Sequence, residues 1–288
     1  MLSDYHLHLR PDGPDLPAGD FYNAANAERY RQAATERGIE ELGVSEHIYR
    51  FTAALSLWRH PFWERYAHDD IDQYCSFVRD QTDLRLGIEA DFVPGAEDRT
   101  ANLLDAHDFD YVVGSVHFIR EGAVDMDDYG VWDPRDPSRS PEQVWRRYFE
   151  TVAESARSGL FDIIAHPDLV KYWGPDHPGR RPDGDLRRFY EPTVEALADA
   201  DVAVEVSTAG LRKPVGEIYP APAFLVMCLE AGVPLALSSD AHRPEDVGAG
   251  YDQALELLAS LGASELSVFD HRRRHAVPLG EPAQGLQG

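Results

Sequence analysis

The sequence predicts an α/β protein built on a parallel sheet, and three observations carry that expectation. Short runs rich in Val, Ile and Leu recur along the chain, as strands buried on both faces require. Longer segments with helical spacing separate them. Repeated β-then-α units favour parallel pairing, and seven or eight can close into a barrel, with an open doubly wound sheet as the structural alternative.

The strands, in order, end in 4–8, 42–47, 84–89, 111–117, 161–166, 202–207 and 235–240, with an eighth candidate at 265–269. The helical segments lie at about 23–37, 69–81, 96–106, 141–158, 186–200, 219–231 and 244–260. The start at 141 is the clearest: Ser140 can cap, Pro141 suits the first helical position, and Gln143 completes a capping-box spacing. Gly38, Gly159 and Gly232 fit helix ends. Two segments read as insertions, 118–140 and the Pro-rich 167–185, and loops of this size commonly cover functional sites. The aromatic-rich 49–66 reads either as another cover or as the packing of an irregular outer helix. No linker or repeat divides the chain, so one domain over 1–288 is expected.

Composition narrows the function. With 51 acidic against 27 basic residues, the 288-residue chain carries a formal charge of −24. Nucleic acid and anionic membranes both recruit partners through excess Lys and Arg, so neither is an expected partner. No apolar run approaches the roughly 20 residues that span a bilayer, and Met1-Leu2-Ser3-Asp4 has no secretory pattern. Cys75 and Cys228 are too few for a disulfide framework. A cytoplasmic enzyme is the expectation.

The chemistry lies in the histidines. Residues i and i+2 of a strand share a side, so His6 and His8 can converge on one metal ion, and Asp4 can orient a ligand. His47, Glu89, His117, His166, Asp240 and His242 each follow an apolar run in the same way. In a parallel barrel all these ends open on one face. Imidazole with carboxylate suits Zn, Fe or Mn. Eight such side chains exceed the three or four protein ligands of one catalytic zinc, so two or three divalent ions are implied. The plain alternative, hydrogen-bonded core histidines, requires six strand ends to share this feature by accident. Glu89 is the candidate bridging carboxylate.

These strings resemble a known family. Asp4-Tyr5-His6-Leu7-His8, Ser45-Glu46-His47, Gly87-Ile88-Glu89-Ala90-Asp91, Gly114-Ser115-Val116-His117, Ala165-His166-Pro167-Asp168 and Ser239-Asp240-Ala241-His242 follow the order of the polymerase-and-histidinol-phosphatase (PHP) superfamily. The run from Glu205 to Pro220 is similar to that of its histidinol-phosphate phosphatases. The resemblance implies a distorted (β/α)7 TIM-like barrel with a trinuclear centre. One ion would use His6, His8, Glu89 and Asp240, a second Glu89 with His117 and His166, and a third His47, His242 and a first-loop ligand. The family places a histidine six residues beyond His8, where this chain has Pro14. Asp12 or Asp15 would replace it, with Asp12 preferred as nearer the strand end. The loop Arg120-Glu121-Gly122 also departs from the family's commonest form.

The implied reaction is hydrolysis of L-histidinol phosphate to L-histidinol and phosphate in histidine biosynthesis, without a Ser or Cys nucleophile. Asp240 or His242 would protonate the departing alkoxide. Arg212 is the first choice for phosphate, ahead of Lys213 and Arg120, while Lys171 reads as surface charge. The alternatives are a PHP-type phosphoesterase for another small monoester or a nucleotide, and a non-catalytic metal-binding regulatory barrel. A metallohydrolase of amides or lactones would want a bridging lysine that no strand end supplies.

Overall fold

The computed structural model describes residues 1–13, 16–133 and 135–279. Its strands are β1 (Leu2–Asp4), β2 (Ile39–His47), β3 (Arg85–Asp91), β4 (Tyr111–Ser115), a small hairpin of β5 (Phe118–Ile119) and β6 (Gly122–Ala123), then β7 (Ile163–Ile164), β8 (Ala203–Ser207) and β9 (Leu235–Ser238), and a last hairpin of β10 (Glu265–Asp270) and β11 (Arg273–Pro278). The helices are α1 (Ala24–Glu36), α2 (Pro61–Tyr66), α3 (Ile71–Gln81), α4 (Glu97–Asp105), α5 (Pro141–Arg157), α6 (Arg187–Ala200), α7 (Pro222–Glu230) and α8 (Tyr251–Ser260).

Seven strands pair in parallel in the order β1-β2-β3-β4-β7-β8-β9. The ring closes beyond the strand ends, through a parallel bridge between Leu7 and Ala241 and the donation of His8 N to Ala241 O at 2.8 Å. Asp4 completes the seam by accepting from Ser239 N at 3.1 Å. The result is the distorted (β/α)7 barrel. Its strands range from two residues in β7 to nine in β2, which accounts for the distortion. The open doubly wound alternative is thereby removed.

The eighth candidate strand forms, but it pairs antiparallel with β11 and stays out of the barrel. It plugs the end where the strands begin. Arg85 NH1 donates to Asp270 Oδ1 at 2.7 Å, Arg272 N to Asp110 O at 2.8 Å and Arg272 Nε to Asp162 Oδ2 at 2.6 Å. Above this hairpin Tyr5 meets Tyr111 at 4.8 Å and Phe269 at 5.7 Å between ring centroids. The Tyr111 ring fits inside only because β2 and β3 have glycine beside it. A Cβ on Gly43 or Gly87 would fall 2.3 or 2.2 Å from Tyr111 atoms. Gly87→Ala is therefore expected to lower stability by about 1–3 kcal/mol in urea unfolding, as overpacked cores do.

The helices follow the periodicity closely, with two later starts. Segment 219–231 becomes α-helical only at Pro222, and 244–260 only at Tyr251 after a 3-10 turn over Pro244–Asp246. Ser140 does occupy the cap position of α5, yet its side chain makes no capping bond. The fixed φ of Pro141 sets this start, and Ser140 O accepts Val144 N at 2.9 Å. Gly38, Gly159 and Gly232 all take left-handed backbone at helix ends. The aromatics of 49–66 follow the packing alternative: Tyr49, Phe51, Phe62 and Trp63 are all core, and Tyr49 stacks on His47 at 4.6 Å.

Candidate metal centre

All seven parallel strands end on the same face, and the expected imidazoles and carboxylates meet there. Glu89, fully buried on β3 opposite His47 of β2, is at the centre. Its Oε1 lies 3.3 Å from His166 Nε2 and 3.4 Å from His117 Nε2. Its Oε2 lies 3.4 Å from His6 Nε2 and 3.6 Å from His8 Nε2, and also contacts His47 Nδ1. Asp240 Oδ1 stands 3.8, 3.5 and 3.5 Å from His6 Nε2, His8 Nε2 and His242 Nδ1. His8 stacks on His47 at 4.0 Å, which brings His8, His47 and His242 into a further group.

These distances decide what the bowl suits. Good hydrogen bonds between such groups are near 2.9 Å. Two donors that share a tetrahedral ion at about 2.1 Å stand about 3.4 Å apart. Moreover, His6 Nε2, both ring nitrogens of His8, His47 Nδ1 and Glu89 Oε2 are buried without hydrogen-bond partners. A buried cluster of unpartnered imidazole nitrogens around carboxylates fits divalent transition-metal ions, two or three of them given its overlapping groups: His6-His8-Asp240, His6-Glu89-His166, His47-Glu89-His117 and His8-His47-His242.

Charge follows the same logic. Burial opposes a charge on His6, but Glu205, Glu89 and Asp240 outweigh it and hold this imidazole well above its ordinary value. His117, also against burial, is pushed up to about 10 by Asp91 and Glu89. Burial wins at His47, which falls to about 4, and at His8, where His47 and His242 add to the effect. Despite burial, Glu89 stays well below the usual carboxylate range because His47, His6 and His117 surround it. The carboxylates thus favour the charged ring at His6 and His117, and burial disfavours it at His8 and His47, whereas an imidazole that binds a metal ion must be neutral.

Supporting residues aim the donors. Glu205 was not expected from its sequence position. It takes His6 Nδ1 at 2.6 Å and the backbone N of His166 at 2.6 Å, so His6 presents Nε2 inward. Asp91 was also missed, and it accepts from His117 Nδ1 at 2.9 Å. Both could have been found by the two-residue strand period, since Asp91 shares a side with Glu89 and Glu205 is a lone carboxylate within an apolar run. Asp4, expected to orient a ligand, accepts from His6 N at 3.3 Å and from Ser239 N and Oγ, and so holds the chain at His6 and beside Asp240. His166 and Asp240 have φ of 24° and 48°, a conformation non-glycine residues rarely adopt.

The structure separates the remaining candidates. Asp12 reaches the rim, with Oδ2 3.5 Å from His242 Nε2 and Oδ1 accepting from Arg50 NH2 at 3.0 Å. Asp15 and Pro14 lie outside the described residues. Arg212 NH2 donates to the carbonyls of Ser239 at 2.6 Å and Asp240 at 3.2 Å, and its Nε lies 3.6 Å from Asp246 Oδ1. Lys213 is close enough for its charge to act on both Asp240 and Asp125. Arg120 is exposed at the β5–β6 turn and lines a separate groove with Arg139, Arg146 and Arg147. Lys171 is not surface charge but 8% exposed, donating to Glu217 at 2.7 Å and Ile218 O at 2.8 Å beside Asp168.

Comparison with known proteins places this geometry. The PHP domain family matches residues 21–209, about two thirds of the chain. The chain belongs to the PHP domain family. The PHP match leaves out His6, His8, Asp240 and His242, while relatives match over a larger share of the chain. A protein of Deinococcus radiodurans named "Probable histidinol-phosphatase" is 32% identical over 280 residues, covering 94% of this chain and 98% of its own. A "Histidinol-phosphatase" of Bacillus subtilis is 27% identical over 271 residues, covering 88% of this chain and 98% of its own. A similar fold is seen in the crystal structure of a histidinol phosphate phosphatase from Lactococcus lactis complexed with Zn, L-histidinol and phosphate. That structure matches with a TM-score of 0.70 at 20% identity, over 95% of this chain and 98% of its own.

Proposed function

We propose that this PHP protein is a histidinol-phosphatase: it hydrolyses L-histidinol phosphate to L-histidinol and phosphate, a step of histidine biosynthesis, with two or three divalent transition-metal ions (Zn, Fe or Mn). The observation that carries this reading is the end-to-end relationship to the Deinococcus protein, combined with a donor bowl built from both ends of the chain. When bound, such ions supply Lewis acidity, which activates water and neutralises charge on a phosphoryl group.

The chain's own residues divide the remaining work. Glu89 turns one oxygen to His117 and His166 and the other to His6, His8 and His47, as a bridging carboxylate would. Its proposed groups are His6, His8 and Asp240 on one side and His117 with His166 on the other. His47, His242 and Asp12 form the third, at the rim. Proton delivery to the departing alkoxide is assigned to Asp240 or His242. Their side chains are 12% and 19% exposed against 0–1% for His6, His8 and Glu89, so they can exchange protons with solvent. Phosphate contact falls to Lys213, and Arg212 steadies the backbone that carries Asp240. The whole of 1–288 is read as one unit, supported by the terminal hairpin that plugs the barrel. A cytoplasmic location accords with two free cysteines and with no helix, among the described residues, long and apolar enough to cross a membrane.

Steady turnover of histidinol phosphate by metal-loaded protein, abolished by a chelator and restored by added metal, is the expected result. Turnover confined to nucleoside or sugar monophosphates would reject the substrate. Stoichiometric metal without turnover would reject the enzyme.

A further inference from the structure

Two buried arginines, Arg10 and Arg50, fasten the loop that carries Asp12. Arg10 pairs with Asp69, which also accepts from Tyr22 Oη at 3.1 Å, and Arg10 Nη2 donates to Leu16 O at 2.7 Å. Arg50 ends the 3-10 turn Ile48–Arg50 that follows β2, and its Nη1 is held against Glu46 of that strand. Glu46 turns its other oxygen to the backbone N of Leu9 at 2.8 Å and of Arg10 at 3.1 Å, while Arg50 Nη1 donates to Arg10 O at 2.7 Å. Three backbone groups straight after His8 are thus tied to one buried ion pair.

The other arm of Arg50 reaches a surface residue. Its Nη2 donates to Asp12 Oδ1 at 3.0 Å, and the Asp12 side chain is 64% exposed where that of Arg50 is 2%. The second oxygen, Asp12 Oδ2, lies 3.5 Å from His242 Nε2, beside the His8-His47-His242 group. Among the described residues the Asp12 carboxylate has no other partner. An exposed aspartate turns freely about its side-chain torsions, and ordering it when an ion binds costs affinity. A guanidinium is a rigid fork. With Nη1 pinned by Glu46 and Arg10, the place of Nη2, and so of the carboxylate on it, is set before any ion arrives.

Resting on the metal-dependent reading above, we propose that Arg50 is the positioning residue of the rim site: it takes Asp12 Oδ1 and leaves Oδ2 to a third ion beside His242. Arg50 touches neither ion nor substrate and acts through Asp12 alone. Glu46, the neighbour of His47 in β2, carries the alignment from the strand to the loop. The same bond restricts Asp12 to one donor oxygen. A carboxylate shared with a guanidinium is less basic than a free one, so the rim ion is the most weakly held of the three.

The test titrates metal-free wild type, Arg50→Lys, Asp12→Ala and the double variant with Zn²⁺, counting bound ions by mass spectrometry and checking folding by circular dichroism. Lysine keeps a charge beside Glu46 but offers no fixed second arm to Asp12. In Arg50→Lys the last ion should need about 10–100-fold more metal for half-occupancy, with the other ions held as in wild type. Asp12→Ala should show the same loss, and adding Arg50→Lys to it should change nothing further. Effects that multiply in the double variant overturn the proposal, as does unchanged occupancy in Arg50→Lys or an equal fall for all ions. Whether or not Arg50→Lys folds, crystals of Zn-loaded wild type should show Asp12 Oδ1 on Arg50 and Oδ2 on an ion located by anomalous scattering. Both oxygens away from every ion, or only two ions at saturating metal, overturns the role of Arg50 and leaves the phosphatase reading standing. Failure of that reading is seen separately, as Zn-loaded wild type that does not hydrolyse histidinol phosphate.

Discussion

Glu89→Gln is expected to remove bound metal and turnover together, with kcat/KM falling roughly 10³-fold, equivalent to about 4 kcal/mol. The carboxylate is fully buried, and each of its oxygens adjoins a different set of imidazoles. An amide keeps the shape but replaces one acceptor by an NH₂ donor. That donor must face either His117 and His166 or His6, His8 and His47. The change also deletes the negative charge that His6, His47 and His117 now surround. Removing one partner from a buried charge cluster leaves the others uncompensated. Metal analysis by mass spectrometry and steady-state kinetics on the same preparation check this, with circular dichroism to confirm folding. A folded variant with wild-type metal content and rate would refute the central role of Glu89.

The second large effect is expected at Glu205, which acts only through other residues. Both its oxygens accept: Oε1 from His6 Nδ1 and Ser238 Oγ, and Oε2 from the backbone N of His166. Glu205→Gln makes one of these positions a donor against a donor. Either His6 loses the bond that turns Nε2 inward, or His166 loses an anchor of its left-handed backbone. Mutating such outer partners typically costs 10–100-fold in metal affinity or activity, and that range is expected here. The distinguishing readout is metal dependence. A positioning role predicts that excess metal restores much of the kcat while the metal concentration for half-activation rises about 10–100-fold. A variant merely less stable would show an unchanged half-activation point in its folded fraction.

The legible part of this protein was its period and its residue types. Alternating apolar runs and helical segments fixed the places of seven strands and most helices. His6 and His8, two apart at the first strand end, and Asp240 and His242, two apart at the last, stood out as ligand pairs because imidazole and carboxylate rarely end apolar runs without purpose. The missed residues share a different character. Glu205 and Asp91 resemble single charges in strands; the strand period shows which side each takes, but nothing local says which imidazole it would meet. Arg212 reads as a phosphate donor because it follows a strand end and resembles a substrate-loop position, and only the fold shows that its NH2 also holds the carbonyls of Ser239 and Asp240. Lys171 looked exposed until the 167–185 segment buried it against Glu217 and Ile218. Similarly, β10 reads as one more barrel strand because pattern reports burial, not pairing partner; only its arginine and aspartate contacts at the strand starts show that it is a plug.

From the sequence alone came the chemistry available to the protein: which donors exist, that they are too many for one ion, and that they lie at strand ends. Tertiary structure alone decided which donor faces which, since ring orientation is set by partners such as Glu205 and Asp91 that are distant along the chain. The physical reason is range. Strand and helix periods arise between near neighbours along the backbone, whereas hydrogen-bond partnership and burial arise only after closure of the barrel has brought β1 against β9.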